Sequence, residues 1–213
     1  MTAAWQARLR RVKQRIAARA HWLREIERPT GAGWWSEPTR AYGLPMTATL
    51  RVQFVHGLES SPQGAKAQYL ARHFQALTPT MDTSDFPACV ELQARELLAF
   101  RPHVLVGSSF GGAVVLELLR RGDWRGPTLL LAQAGIKFGV CDRLPEGVPV
   151  LLVHGTSDTV VDPEDSRRLA RTGTPDLVRL IELDDAHRLD SLVAGGEPTL
   201  EALVRSTLLL ADQ

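Results

Sequence analysis

Two hydrophobic rhythms divide the chain. In residues 3–28, Trp5, Leu9, Val12, Ile16, Ala20 and Leu23 recur at steps of three and four, which puts them on one narrow face of a helix. Pro29, Gly31 and Gly33 end that helix, and residues 29–47, with Trp34, Trp35 and Tyr42, read as a connecting segment. From residue 50, short apolar runs alternate with helical stretches. Strands are expected at Leu50–Val55, Leu77–Thr80, Val104–Val106, Thr128–Ala132, Val150–Val153 and Leu177–Leu183. Helices are expected at about 63–75, 87–100, 110–121, 163–172 and 197–210. The strongest strands are apolar throughout, as in a sheet covered on both faces. Strand–helix alternation implies right-handed crossovers and a parallel sheet. The expected fold class is therefore α/β: a three-layer sandwich around a mostly parallel sheet of about six strands. An N-terminal helical arm and connector at 1–48 precede the globular domain at 49–213. Residues 133–149 leave room for a loop or one helical turn between the fourth and fifth strands, but not for a cap domain.

Composition narrows the class further. At 213 residues, 44% hydrophobic and 23% charged, the chain suits one hydrophobic core and excludes disordered, collagen-like and coiled-coil classes. No run approaches the ~18 apolar residues of a membrane span. Cys89 and Cys141 are too few for a disulfide framework and match no metal spacing, so they read as free, mostly buried thiols. Residues 1–30 hold eight basic residues against Glu25 and Glu27, which leaves the rest of a chain of net charge +1 acidic. Such an arm offers a surface to nucleic acid or anionic lipid. Docking on the parent domain explains it more simply, so no nucleic-acid partner is expected. Contact with a second copy, giving a homodimer through the arm, and a lid role are the alternatives. The N-terminus lacks the apolar core of a secretory signal and the serines of a transit peptide, which points to the cytoplasm.

Ligands on such sheets bind where the strands end. After the third strand comes Gly107-Ser108-Ser109-Phe110-Gly111-Gly112, then the helical run from Ala113. This is G-x-S-x-G in its required context of strand, tight turn and helix, with Ser109 as the nucleophile; Ser108 lies one residue too early. A serine hydroxyl attacks only if a base takes its proton, and that base needs a carboxylate to orient it. Of the six histidines, His21 is in the arm, His73 in a helix and His103 at a strand start. His56 and His154 each precede a glycine at a strand end, where buried, loop-fixing roles are usual. His187 follows the last strand and is the expected base. The carboxylate should lie between the two in sequence, and Asp158, just past the fifth strand, fits. Asp162 before Pro163 suits a helix cap, and Asp184 and Asp185 suit shaping the loop of His187. The oxyanion donors are expected to be the backbone amides of Phe110, after the nucleophile, and Leu58, beside Gly57 in the first loop. Ser60 or Ser61 could add a hydroxyl or cap the next helix. Neither G-x-G-x-x-G nor a P-loop occurs, and no cofactor or metal is expected.

Together these segments resemble the α/β-hydrolase superfamily, and within it the small YqiA-like esterases. The resemblance is carried by Val55-His56-Gly57-Leu58-Glu59-Ser60-Ser61-Pro62 with Lys66-Ala67, by the Ser109 turn, by His154-Gly155-Thr156-Ser157-Asp158 and by His187, over about residues 50–210. It implies a Ser109–Asp158–His187 triad that hydrolyses a small-molecule ester or acyl thioester through an acyl-enzyme, without a cofactor. The arm has no counterpart in that group, and Glu59 brings a negative charge to the oxyanion loop. Peptidase, lactonase and acyltransferase chemistry use the same triad, and a non-catalytic binding protein could keep the scaffold.

Overall fold

The structure, a computed structural model, describes residues 50–211. The expected helix at 3–28, the connector, the boundary at residue 48 and any dimer contact through the arm lie outside the described residues. Six strands, β1 (Arg51–Val55), β2 (Gln75–Leu77), β3 (Val104–Ser108), β4 (Thr128–Leu131), β5 (Val150–Gly155) and β6 (Val178–Leu183), form one sheet. Their order is β2-β1-β3-β4-β5-β6, and every neighbouring pair is parallel. The helices are α1 (Ala65–His73), α2 (Phe86–Phe100), α3 (Phe110–Arg121), α4 (Gly135–Phe138), α5 (Pro163–Ala170) and α6 (Leu200–Leu210).

The helix ends follow from local chemistry. Asp85 caps α2 through the Ala88 amide, Asp162 caps α5 through that of Glu164, and Thr199 caps α6 through that of Ala202. Gly122, at φ 81°, closes α3 in the left-handed conformation that favours glycine. The central strands alternate between two apolar layers. Val52, Phe54, Val104, Val106, Leu129, Leu131, Leu151 and Val153 pack with α1 and α6. Val55, Leu105, Leu130, Val150 and Leu152 pack with α2, α3, α4 and α5. Both faces are covered, so β3, β4 and β5 carry no polar alternation, while in β1 the side-chain amide of the buried Gln53 donates to Gln93 of α2. Cys89 is buried, with its thiol pushed up to about 12 by burial and the nearby Asp82 and Asp85 carboxylates. Cys141 is only half-buried. No helix among the described residues is long and apolar enough to cross a membrane.

One element departs from expectation. The second strand runs over Gln75–Leu77, not Leu77–Thr80, because α1 ends at His73 and the chain pairs at once with β1, Arg51 opposite Gln75. This edge strand has no buried residue, so its register is set by backbone pairing and not by an apolar pattern. Between β4 and β5 the chain forms α4, a single turn, within what the length of that stretch allows.

The joint between α3 and β1 leaves no room for a side chain at Gly111. A Cβ on Gly111 would lie 1.9 Å from the Val55 carbonyl oxygen. We predict that Gly111→Ala lowers the unfolding free energy by about 3 kcal/mol, read from urea denaturation. An unchanged midpoint would mean that α3 can stand off from the sheet.

Candidate active site

The chain leaves β3 through Ser109, whose backbone sits at φ 54° and ψ −115°, outside the regions that suit a residue with a side chain. Three backbone bonds hold it there. Its N–H donates to Leu131 O at the end of β4 (2.9 Å), and its carbonyl accepts from Ala134 N–H (3.1 Å) and Ala113 N–H (3.2 Å). The turn projects the hydroxyl into a cleft at the carboxyl ends of the strands. Phe110, the first residue of α3, is fully buried between Phe86 and Phe138, edge to face with both. This anchors the first turn of α3, whose amides have no carbonyl partner within the helix.

The loops after β5 and β6 bring two further side chains to the hydroxyl. His187 Nε2 lies 2.9 Å from Ser109 Oγ, and His187 Nδ1 lies 2.7 Å from Asp158 Oδ2. With Nδ1–H donating to the carboxylate, Nε2 accepts the serine proton. Asp158 is buried, and its other oxygen accepts from the amides of Val160 (2.7 Å) and Val161 (2.9 Å). Burial opposes its ionisation, but hydrogen bonds from His154, His187 and the Val161 amide outweigh that and hold the carboxyl well below its usual range.

The loop of His187 is tied on both sides. Asp185 accepts from Ala186 N, Ser191 N and Ser191 Oγ, the loop-shaping part expected of it. Lys66, from the first turn of α1, donates to the Arg188 carbonyl. Burial lowers the pKa of Lys66, while Asp190 works in the opposite direction. Gly57 brings the first loop against the turn: a Cβ there would lie 3.4 Å from both Ser108 O and Ser109 Cβ. Leu58, largely buried, follows it at the cleft wall.

The cleft has a volume of about 570 Å³. Leu58, Phe138, Val160 and Val161 supply apolar wall, and Lys66, Lys137, Arg188, Glu59 and Asp190 are its charged lining. Among the described residues, no group of three or more His, Cys, Asp or Glu is gathered as a metal ion would require.

All three residues expected at the reacting centre therefore meet, as do the two loops expected to carry the oxyanion donors. The other histidines behave differently. His73 pairs with Glu201 at 2.9 Å, and His103 Nδ1 accepts from the Arg51 amide. His56 is buried, with Nδ1 beside the Gly57 carbonyl. His154 is not merely loop-fixing, because its Nε2 lies 3.0 Å from Asp158 Oδ2. The spacing of four across a strand end is the only sequence signal of that contact. Nothing in the sequence pattern reports the tie from Lys66 to Arg188, which spans 122 positions.

No family model matches the chain, and no curated protein matches its sequence. Solved structures do. A protein assigned to the alpha/beta hydrolase superfamily from Xanthomonas campestris pv. campestris aligns with TM-score 0.56 at 20% identity, covering 77% of this chain and 98% of that one. The monoacylglycerol lipase of Paleococcus ferrophilus gives 0.54 at 15%, over 75% and 94%. An α/β serine hydrolase without a lid from Xanthomonas campestris gives 0.53 at 16%, over 78% and 84%. At these identities the likeness is one of fold.

The carboxylate has a consequence for stability. A carboxyl whose pKa is depressed by folding contributes stability above its unfolded value and loses it as pH falls toward the folded one. Asp158→Asn should cost about 2 kcal/mol at pH 7 and flatten the fall in stability below about pH 4. Denaturant melts across pH check this; parallel curves for the two proteins would contradict it.

Proposed function

We propose that this protein, which has the α/β-hydrolase fold, is a serine hydrolase that cleaves carboxylic esters or acyl thioesters of small molecules. The observation that carries the reading is the pair of hydrogen bonds made by His187, to Ser109 on one side and to buried Asp158 on the other, at an open cleft. A monoacylglycerol lipase and a lidless serine hydrolase among the similar folds support it. The Ser60-Ser61-Pro62 loop followed by Lys66-Ala67 supports the finer assignment to the small YqiA-like esterases.

Ser109 Oγ attacks the carbonyl carbon as His187 Nε2 takes its proton. The oxygen of the tetrahedral intermediate takes the negative charge and is met by the Phe110 and Leu58 amides. Asp158 keeps Nδ1–H directed inward and stabilises the imidazolium. The imidazolium then protonates the departing alcohol or thiol, leaving an acyl ester on Ser109. Water, deprotonated by His187, attacks this ester, and the carboxylic acid and free Ser109 are regenerated. The fold adds proximity: three groups distant in sequence meet at hydrogen-bond range before substrate arrives.

A fluorophosphonate probe tests this directly. Wild-type protein should label and Ser109→Ala should not. On an ester that is turned over, Ser109→Ala should lower kcat by about 10³-fold or more, while Ser108→Ala changes it little. A wild-type protein inert to the probe, or full activity in Ser109→Ala, would overturn the reading. With only the single turn of α4 between β4 and β5, chain-length selection should be weak. Across short p-nitrophenyl esters, kcat/KM should change less than ~10-fold per methylene; a steep optimum at one length would show a closed acyl pocket.

A further inference from the structure

We propose that His154 is a positioning residue for the acyl-transfer site, holding the one carboxylate oxygen of Asp158 that also binds His187. The inference rests on the serine-hydrolase reading above.

His154 is the penultimate residue of β5 and is fully buried. The Oδ1 atom of Asp158 is already occupied by the Val160 and Val161 amides. Its Oδ2 atom faces two imidazoles, His187 Nδ1 at 2.7 Å and His154 Nε2 at 3.0 Å. The same Nε2 lies 3.2 Å from the Val161 carbonyl. Both neighbours are acceptors, so Nε2 must carry the proton.

The other side of the ring fixes the same tautomer. Gly135 N–H donates to Gln133 Oε1 (2.7 Å), which orients the Gln133 amide. Gln133 Nε2 then donates to Ser166 Oγ (3.2 Å), and Ser166 turns its own hydrogen to His154 Nδ1 (2.7 Å). Donors therefore run in one direction, Gly135 to Gln133 to Ser166 to His154 to Asp158. The relay also touches the nucleophile's helix, because Gln133 Cβ stands 2.7 Å from where a Cβ on Gly112 would fall.

A loop clamp would need only the two amides at Oδ1. His154 acts on the opposite oxygen and does two things there. It stops that oxygen from rotating away from His187, and it shares the oxygen's electron density, so that the carboxylate grips the protonated form of His187 less tightly. Loss of His154 N–H should thus leave His187 protonated to higher pH. The other charged groups around the pair are Lys137 on α4, Asp162 and Asp165 at the start of α5, and Asp184, Asp185, Arg188 and Asp190 on the His187 loop, with Lys66 beside it. They are common to every His154 variant, so a difference between variants isolates the lost donor.

The test is the pH dependence of fluorophosphonate labelling, which needs no knowledge of the natural substrate. Labelling of wild type should rise with pH to a plateau. In His154→Phe, which keeps ring volume and removes the donor, the half-maximal pH should move up by about half a unit and the plateau rate fall roughly tenfold. His154→Gln, whose amide N–H can stand near the position of Nε2, should return the half-maximal pH toward wild type. A His154→Phe profile identical to wild type, or a His154→Gln profile shifted as far as that of His154→Phe, would overturn the proposal. If His154→Phe does not fold, 15N NMR of the wild type decides at plateau pH: the His154 proton is expected on Nε2, and a proton on Nδ1 alone would overturn it. A wild type that never labels removes the serine-hydrolase reading and this proposal together. A labelling wild type with coincident variants removes this proposal alone.

Discussion

A carboxylate withdrawn from water stays ionised only if donors replace the solvent it has lost. Asp158 meets that condition with four, two backbone amides on one oxygen and two imidazoles on the other. Meeting it dictates much of the surrounding structure. The chain must turn sharply after β5 so that Val160 and Val161 face back toward the side chain. The helix that follows must start where Ser166 can reach His154, and the cap at Asp162 begins it there. The β6 loop must return over the same turn, and it lies so close that a Cβ on Gly155 would fall 2.3 Å from the Asp185 carbonyl oxygen.

The parallel sheet provides the other half of the arrangement. With every strand running the same way, the exits of β1, β3, β4, β5 and β6 share one edge. The Gly57 loop, Ser109, Gln133, Asp158 and His187 each follow a different one of these strands. Ser109 lies near the centre of the sheet, strained but held by β4, and Asp158 and His187 come from the two strands beyond. The net result is a cluster of three side chains separated by up to 78 positions in the chain yet within hydrogen-bond reach.

How far this was legible in the sequence depends on the physics of each part. The central strands announce themselves because burial on both faces demands unbroken aliphatic runs. Ser109 is legible because a strained turn between strand and helix tolerates few residues beside it. Asp158 and His187 follow from chain order, and Asp162 from its place before Pro163. The edge strand β2 is not legible, since a three-residue strand paired through its backbone leaves little side-chain signature. His154 reads as buried, but which atom it serves depends on a turn geometry that no periodicity encodes. The tie between Lys66 and Arg188 joins opposite ends of the domain and has no local pattern at all.

His187 is suspended from the outermost strand. β6 pairs on one side only and has a single buried residue, Val178, whereas β3, which leads into Ser109, is enclosed on both sides. Margins of sheets open at lower cost than their centres. Detaching β6 would carry His187 away while Ser109 and Asp158 stayed in a largely intact body. Heating should therefore part His187 from Ser109 below the temperature at which the molecule melts as a whole, and the separation should reverse on cooling until that melt is reached. The ties from Lys66 and Asp185 then act as a latch, and their strength sets the width of the interval between dormancy and denaturation.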